Sequence, residues 1–458
     1  MKIVFTTFFK ESKGGGCGRV SHEIAQAFAK EGHETVLVCP GSRTEVKKIA
    51  PHLRYLQIKS FGNGDVAIPY LTVKNLQFLF NFLKTFSPQV IHAHDFGPIT
   101  LCSQFWAINN QIPFVYTSHV LPTKTFDFAI GESSKALSRF LDTSLMRRYF
   151  LNFFKNADAL IALNKDVKKD ILKYGFKNKI FTISNGRDLR IYRVCPLAQL
   201  KEKEKQMTFI GYLSLRKNQR YLLRVLKYLP SNFTLNLVGS PINPAYLKVL
   251  KDDVSKNRLK NVNFLGEIPY EQIPQILAKT HLFVSASKME VQSLVIIEAL
   301  ASATPVVALE NETTKELVDD SVGFCLGKKT PPVVFAQHIK EIYALSSREY
   351  EILCQNARRK VAHLDWPQIV KQTELVYQNL LAEKKKANGS KQIKRMVAFK
   401  EFISLFPSSK MRTFLLKQWE KPQNLSKKNI FSLVLTVVGT FLIGSLYYLL
   451  KKIKIVHY

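Results

Sequence analysis

Short apolar runs alternate with longer, mixed segments along most of this chain, and no other feature constrains the possible fold as much. Runs of this kind, separated by helical stretches, are typical of parallel sheets that helices cover on both faces. We predict strands at 2–7, 34–39, 90–93, 114–118 and 159–162 in a first block, and at 207–211, 233–238, 262–265, 282–285 and 305–308 in a second. The sequence therefore predicts an α/β fold with two Rossmann-like, doubly wound domains that bind a ligand in the cleft between them, at the carboxyl ends of the strands.

The length and the cysteines favour a multidomain chain in a reducing compartment. A chain of 458 residues is too long for one ordinary domain. Its six cysteines are scattered, without the paired spacing of a disulfide framework or a metal site, so we expect reduced thiols and no metal. Residues 1–5 are predicted to be a buried strand and not a signal peptide, because Lys10 ends the apolar run.

The C-terminal tail holds much of the formal net charge of +32, since residues 385–458 contain fifteen Lys or Arg and two Glu. The apolar run 430–450 has the length that spans a bilayer, and lysines flank it on both sides, so we predict a transmembrane helix; a buried core helix is the alternative. Upstream, 391–419 alternates apolar and basic residues, which favours an amphipathic helix on an anionic membrane surface. Nucleic acid is the competing partner for such a surface, and the predicted span favours lipid.

Two glutamates, Glu290 and Glu298, flank an apolar run at 294–297. We predict that Glu290 lies where a loop ends and a helix begins, and that Glu298 lies two turns along the same helix face, because eight residues make a little over two turns. Amides and the positive dipole end at such a helix start favour a phosphate, and carboxylates accept hydrogen bonds from hydroxyls. The pair suits a nucleotide sugar; the alternative is a helix-start acid followed by a solvated one.

A glycine-rich segment, Gly14-Gly15-Gly16-Cys17-Gly18, follows the first predicted strand and precedes a helix predicted from about 20 to 31. Glycines allow a backbone to approach an anion or a substrate closely. The spacing fits the dinucleotide fingerprint poorly, and no acidic residue follows the second strand. The segment is therefore interpreted as a substrate-binding loop of unspecified ligand, with a plain surface turn as the alternative.

Taken in order, these segments resemble the retaining glycosyltransferases of family 4, which have the GT-B architecture. The resemblance covers roughly residues 1–384 and ends with Asp365-Trp366, which resembles the closing element of the family. It rests on the segments 14–19, 32–34, 90–95, 116–119, 157–162, 185–188, 211–218, 262–266, 290–298 and 304–307.

The resemblance implies a role for each site residue. As catalytic residues it implies His119 beside the donor sugar, Lys217 on the diphosphate leaving group and Glu290 on the sugar hydroxyls. As donor-binding residues it implies Gly15, Gly16, Arg216, Lys217, Glu290, Val291, Gln292, Ser293, Leu294 and Glu298, with Glu298 on the ribose hydroxyls. It implies no metal and no cofactor besides the nucleotide-sugar substrate. For His119 a satisfied core histidine, and for Lys217 a solvated lysine, are the structural alternatives.

Three positions differ from the pattern of the family. Tyr212 stands where the family has an arginine, which Arg216 could partly replace, and Ser293 and Ala303 stand where glycines are usual. A serine would crowd a phosphate-binding backbone, and the alanine would alter packing.

The acceptor is predicted from two further segments. Residues 291–294 resemble the variant found in glycosyltransferases that act on diacylglycerol and its glycolipids, and the basic, aromatic stretch 138–155 resembles the region with which such relatives approach a bilayer; an ordinary amphipathic helix is its alternative. The predicted function is transfer of a hexose from a nucleotide diphosphate sugar to a membrane lipid. The alternatives are a membrane-tethered sugar-nucleotide-binding protein with weak or no turnover, a transferase for another envelope glycan, and a sugar-nucleotide epimerase.

The predicted organisation follows from the blocks and the resemblance. We expect an acceptor-side Rossmann-like domain at 1–190, a linker at 191–206, a nucleotide-sugar domain at 207–365 and a helix at 366–384 that crosses back to the first domain. A basic juxtamembrane segment at 385–428, the transmembrane helix at 429–450 and a basic tail at 451–458 would follow. The positive flanks favour an enzyme at the cell membrane with its catalytic domains on the cytoplasmic side.

Overall fold

A computed structural model describes residues 1–10, 15–61, 67–119, 153–176, 179–192 and 205–386. Contacts between residues divide these into two compact units. Unit 1 consists of Met1–Ser184 and the helix that begins at Trp366, and unit 2 consists of Asn185–Asp365.

Unit 1 is built around one sheet that is mostly parallel. Its elements before the unit boundary are β1 (Lys2–Thr6), α1 (Gly15–Lys30), β2 (Glu34–Gly41), β3 (Glu45–Ala50), β4 (Leu53–Phe61), β5 (Ile68–Pro69), α2 (Val73–Phe86), β6 (Val90–Ala93), α3 (Pro98–Asn109), β7 (Phe114–Ser118), β8 (Ala159–Ala162), α4 (Lys165–Tyr174) and β9 (Lys179–Thr182). The strand order is β3-β4-β2-β1-β6-β7-β8-β9, with β5 paired to β4. Strands β3 and β5 run antiparallel to β4, and the other pairs are parallel.

Unit 2 contains a second sheet, in which every strand pair is parallel. Its elements are β10 (Lys205–Ile210), α5 (Gln219–Leu226), β11 (Phe233–Val238), α6 (Pro244–Lys256), β12 (Val262–Gly266), α7 (Ile273–Leu277), β13 (Leu282–Ser285), α8 (Leu294–Ala301), β14 (Val306–Leu309), α9 (Thr314–Leu317), β15 (Gly323–Leu326), α10 (Pro332–Ala344) and α11 (Ser347–Val361). The order β12-β11-β10-β13-β14-β15 reverses direction between β10 and β13. That is the Rossmann order, so ligands are expected beyond the carboxyl ends of these two strands.

The strands form because short β-branched and aromatic runs are buried on both faces. All four residues of β6, β8, β13 and β14 are buried. In unit 2 they pack against α5, α6, α10 and α11, whose apolar sides include Leu222, Leu250, Phe335 and Leu353. The predicted parallel, helix-covered sheets are confirmed.

The last described helix, α12 (Trp366–Lys386), belongs to unit 1. Its Tyr377 is fully buried, and the phenol lies 2.6 Å from Nδ1 of His92 on β6. The side chains of Ile369, Val370 and Leu380 are buried on the same helix. Unit 1 is therefore completed by a segment that follows unit 2 in the sequence.

The glycine-rich segment differs from its prediction as a loop. Helix α1 begins at Gly15, so Gly15, Gly16 and Gly18 are helical. A helical glycine costs about 1 kcal/mol relative to alanine. Two side-chain hydrogen bonds lie at this end of the helix: Ser21 Oγ donates to the carbonyl oxygen of Cys17 at 2.6 Å, and Cys17 Sγ donates to that of His94 at 3.4 Å.

The prediction of a C-terminal transmembrane helix is corrected by the structure. No helix among the described residues is long and apolar enough to cross a membrane. The longest of them, α12, carries charged side chains at Lys371, Glu374, Glu383 and Lys384, which are costly in hydrocarbon. The predicted span at 429–450, with the flanking segments 387–428 and 451–458, lies outside the described residues. For the part of the chain that the structure describes, the supported fold is two α/β units.

Candidate functional site

The loops that follow β10 and β13 meet at the switch point of the sheet in unit 2. The first loop carries Arg216 and Lys217, and the second carries Glu290. Lys217 Nζ lies 2.5 Å from Glu290 Oε1, and Arg216 Nη1 lies 3.3 Å from Glu290 Oε2 and 3.1 Å from the carbonyl oxygen of Met289. The three charged residues that the sequence predicted for the donor thus form one cluster. Lys217 and Glu290 are both buried.

The cluster is built so that the carboxylate stays ionised. Burial alone would raise the pKa of Glu290, but the charges of Lys217 and Arg216, with hydrogen bonds from Lys217 and Ser287, hold that pKa below its ordinary value. Burial lowers the pKa of Lys217, and the charge of Glu290 opposes that shift. With both basic side chains protonated, the cluster carries one net positive charge. Such a site can attract an anionic group and can give hydrogen bonds to it.

Glu290 lies before the helix and not on it, which corrects the predicted arrangement. Helix α8 begins at Leu294 with Ser293 as its N-cap, so Glu290 belongs to the preceding loop. The backbone N–H of Glu290 donates to Glu312 Oε2 at 3.0 Å. Glu290 and Glu298 therefore do not share one helical face, and the loop itself positions Glu290.

The residues between the glutamates are held by neighbouring segments. Gln292 Oε1 accepts from the backbone N–H of Asn185 at 2.8 Å, and the backbone N–H of Ser293 donates to Thr313 Oγ1 at 2.8 Å. Val291 and Leu294 are buried apolar side chains. The N-terminus of α8 is thus fixed on two sides, one of them the segment that opens unit 2.

Glu298 lies within α8 and is fully buried. Its Oε1 accepts from Arg187 Nε at 3.1 Å and from the hydroxyl of Tyr270 at 3.1 Å. The hydroxyls of Tyr270 and Tyr192 lie 2.7 Å apart. Because Glu298 is 0% exposed, ribose hydroxyls can reach this carboxylate only after neighbouring side chains have moved.

Sequence reasoning did not assign a role to Arg187. Its side chain is 1% exposed, and Nη1 donates to the carbonyl oxygen of Gly186 at 2.9 Å. The available signal was a charged residue inside the segment 185–188, which otherwise looks like a turn. Its partner, Glu298, is 111 positions away, so the pairing is visible only in the structure.

Unit 1 gathers polar residues at the equivalent place, beyond β1, β6 and β7. His94 and Asp95 follow β6, and His119 follows β7. His94 Nδ1 lies 2.9 Å from His119 Nε2, and the rings of His92 and His94 are 4.6 Å apart at their centroids. Gly15 opens α1, and Gly16 follows it with an exposed backbone. The structure therefore places His119 beside His94, which in turn lies beside His92. These three residues are called the histidine row.

Asp95 organises the loops around this row. Its Oδ1 accepts from the backbone N–H of Gly97 and from Thr100 Oγ1, and its Oδ2 accepts from the backbone N–H of Phe8. Burial raises the pKa of Asp95 to about 6 although these bonds oppose the shift. The carboxylate ties the end of β1 to the end of β6, which is a structural role.

Tyr212, Ser293 and Ala303, the three positions that differ from the pattern of the family, have distinct surroundings. Tyr212 is 37% exposed, and its carbonyl oxygen accepts from Gln219 Nε2 at 2.9 Å. Ser293 has φ −85°, a backbone that does not require glycine. Ala303 has φ +58°, in the left-handed region that favours glycine, so its departure concerns the backbone and not only packing.

The stretch predicted to approach a bilayer is described only at its end. Phe153 and Phe154 are buried, and both rings pack against Tyr116 of β7 at 5.2 and 5.1 Å between centroids. These two aromatic residues belong to the core, while 138–152 lie outside the described part of the chain. Within that described part, no three His, Cys, Asp or Glu side chains are grouped so as to hold a metal ion.

Two Rossmann-like sheets, each with polar side chains at its switch point, define a protein of the GT-B class. A model of glycosyltransferase family 4 matches residues 14–191, and a model of the group 1 glycosyl transferases matches residues 198–360. The chain belongs to glycosyltransferase family 4, and it resembles the glycolipid synthases among its members.

Similar proteins agree with this assignment. The alpha-monoglucosyldiacylglycerol synthase of Streptococcus pneumoniae is 23% identical over 323 residues, which are 64% of this chain and 71% of that protein. The solved structure of a sucrose-phosphate synthase from Thermosynechococcus elongatus has a TM-score of 0.67 at 20% identity and covers 83% of this chain and 99% of its own. The Anabaena protein HepE in complex with UDP-glucose has a TM-score of 0.63 at 20% identity and covers 83% of this chain and 100% of its own. The two structures support the GT-B fold.

Proposed function

We propose that this glycosyltransferase moves a hexose from a nucleotide diphosphate sugar to a membrane-lipid acceptor, with retention of the anomeric configuration and without a metal ion. The main observation in support of a nucleotide diphosphate sugar as the donor is the cluster of Glu290 with Lys217 and Arg216 at the switch point of unit 2. A relative whose name includes diacylglycerol supports the lipid acceptor, and a similar fold that binds UDP-glucose supports the donor.

The cluster suits the charge that develops during transfer. When the bond from the anomeric carbon to the diphosphate breaks, negative charge collects on the leaving group. Fixed cations aimed at that charge stabilise the transition state, typically by a few kcal/mol for one hydrogen-bond donor. Lys217 and Arg216 are assigned this role, and Glu290 is assigned the sugar hydroxyls.

Glu290 also holds both cations where the diphosphate needs them. Its carboxylate lies within 3.3 Å of each, so neither long side chain has to be ordered when the donor binds. On binding, the phosphate oxygens compete with the carboxylate for Lys217. Retention is part of the proposal because the resemblance of the sequence to retaining enzymes implies it. The two cations would supply the charge that a metal ion supplies in other transferases.

The test uses the full chain with liposomes that contain diacylglycerol or a monoglycosyl diacylglycerol. UDP- and GDP-sugars are offered in turn with and without EDTA, and lipid products are identified by mass spectrometry and their anomers by NMR. We expect a glycolipid with the configuration of the donor, formed equally with EDTA. Transfer to soluble sugars alone would overturn the lipid acceptor, and an inverted anomer would overturn retention.

Variants separate the site from the fold. Glu290→Gln and Lys217→Met are each expected to lower kcat/KM for the donor by about 100-fold or more. Glu267→Gln is the matched control, because Glu267 is an exposed glutamate of the same unit. Donor binding in calorimetry without transfer to any acceptor would favour the alternative of a binding protein.

A further inference from the structure

The histidine row of unit 1 contains two buried histidines, His92 and His94, to which no role has been assigned so far. His92 is already satisfied, with Nδ1 beside the hydroxyl of Tyr377 and Nε2 at 2.7 Å from Thr117 Oγ1. His94 is different, because its only ring hydrogen bond among the described residues goes to His119. This contact suggests that His94 acts through His119.

The ring of His94 is firmly placed. Its backbone N–H donates to the carbonyl oxygen of Thr6 at 3.3 Å, and its own carbonyl oxygen accepts from Cys17 Sγ. The residue is 1% exposed, and its ring packs between those of His92 and His119. The short contact to His119 is therefore set by the ends of β1 and β6 and by α1.

The contact between the two rings needs one proton, and two neutral arrangements can supply it. Either His94 Nδ1–H donates to His119 Nε2, or His119 Nε2–H donates to His94 Nδ1. In the second arrangement the proton of His94 lies on Nε2, a buried nitrogen that has no partner among the residues described here. A buried donor without an acceptor costs about 1–3 kcal/mol, whereas a lone pair on the same atom costs less.

The charge state of His94 does not change this comparison between the two neutral arrangements. Burial, with smaller contributions from His92 and His119, holds the pKa of His94 well below its ordinary value, so His94 is neutral. A neutral histidine donates from one nitrogen only. The arrangement with the proton on His94 Nδ1 is therefore the more stable one.

We propose that His94 is a positioning residue, which donates from Nδ1 to His119 Nε2 and thereby fixes His119 as the neutral tautomer with its proton on Nδ1. This inference deepens the proposed function and rests on it. With Nε2 occupied as an acceptor, the N–H of the His119 ring is on Nδ1, so this ring can donate a hydrogen bond only from Nδ1. It accepts no proton from the acceptor hydroxyl at Nε2.

The tautomer is measured first, on the wild-type chain and without substrate. Two-bond ¹H–¹⁵N correlation spectra of histidine-labelled protein distinguish the two neutral forms, and the signals of His119 are those lost in His119→Gln. We expect His119 to carry its proton on Nδ1 and His94 to do the same. A proton on Nε2 of His119 overturns the proposal.

Variants of His94 then test the effect on transfer. His94→Asn keeps an N–H donor near the position of Nδ1, whereas His94→Leu has a similar volume and no donor. We expect kcat to fall on the order of 10- to 100-fold in His94→Leu, with a smaller change of KM for the donor, and to recover largely in His94→Asn. Equal kcat in the two variants overturns the proposal.

The control is another buried histidine. His22 is on α1, is 4% exposed and lies 3.2 Å from the hydroxyl of Tyr55. His22→Leu should lower stability without changing the tautomer of His119, and a change of that tautomer would show that any lost histidine disturbs the row. If the wild type transfers no sugar, the proposed function fails, while the spectra still decide the tautomer.

Discussion

Arg187 and Glu298 form an ion pair that water does not reach, since their side chains are 1% and 0% exposed. Transferring two charges from water costs several kcal/mol for each ion, and the attraction between them repays this only when the pairing is intact. Tyr270 adds a second donor to the carboxylate. The pair also joins α8 to the segment with which unit 2 begins, because Glu298 lies on α8 and Arg187 lies in that segment. The backbone N–H of Arg187 in addition donates to the carbonyl oxygen of Leu364.

Removing one partner should therefore cost more than removing both. We expect Arg187→Leu to lower the free energy of unfolding by about 3–5 kcal/mol, because it leaves Glu298 buried without its cation. The double variant Arg187→Leu with Glu298→Leu should recover most of that loss. Urea denaturation of the three proteins measures the difference, and a double variant less stable than Arg187→Leu would contradict this account.

At the scale of single residues, the sequence predicted the cluster around Glu290 and missed the ion pair of Arg187 with Glu298. Family-like segments identified Glu290, Arg216 and Lys217, and the order of the strands explains why residues 73 positions apart meet. Arg187 lacked such a signal, because neither periodicity nor spacing indicates which buried acid pairs with a lone arginine. The same holds for His94, whose relation to His119 depends on the register of β6 beside β7.

Helix α8 ends in a Schellman motif that has alanine in place of glycine. The backbone N–H of Thr304 donates to the carbonyl oxygen of Ala299 at 2.9 Å, and that of Ala303 donates to Leu300 at 3.0 Å. This geometry places Ala303 at φ +58°, where a Cβ atom is strained. The helix that carries Glu298 thus keeps its C-terminal cap at an energetic cost.

Replacing that alanine should stabilise the protein. We expect Ala303→Gly to raise the free energy of unfolding by roughly 0.5–1 kcal/mol, because relief of backbone strain exceeds the added entropy of the unfolded chain. Ala301→Gly, within the same helix, should lower it by about 1 kcal/mol. Thermal and urea unfolding measure both, and two variants that shift in the same direction would rule out the strain.

Central elements were easier to predict than peripheral ones. Strands β6, β7, β8, β11 and β13 have the predicted bounds, because apolar runs buried on both faces are visible in the sequence. Strands β3 and β4 were missed. The sequence of β3, Glu-Val-Lys-Lys-Ile-Ala, is mostly exposed, and it forms a strand only because β4 offers an edge for antiparallel pairing. Helix α1 was predicted too short, because packing overrides the propensity of its glycines.

For the molecule as a whole, buried histidines set the response to acid. Burial lowers the pKa of His22 to about 4 and that of His92 to about 3, from an ordinary value of 6.5. Below pH 6.5 the unfolded chain binds protons that the folded chain excludes, so stability falls as the pH falls towards these values. Asp95, with a raised pKa of about 6, binds a proton in the folded chain and so opposes the trend below that pH. It is a single group, whereas His22, His92 and His94 all have lowered pKa values.

Unfolding in urea should therefore become easier already between pH 7 and pH 5. Each buried histidine contributes a slope of up to about 1.4 kcal/mol per pH unit. His22→Gln should show a shallower slope than wild type over this range, although it is less stable at pH 7. A slope unchanged in the variant would mean that His22 does not govern this range.

Unit 1 is interrupted in the sequence, and this has a consequence for how the chain leaves the ribosome. Its sheet is translated first, but α12, which covers His92 with Tyr377, is translated only after all of unit 2. Unit 2 is continuous and can fold as soon as residue 365 has emerged. We therefore expect the second unit to reach its native state before the first, so that the nascent amino-terminal sheet has to wait, partly uncovered, for the rest of the polypeptide.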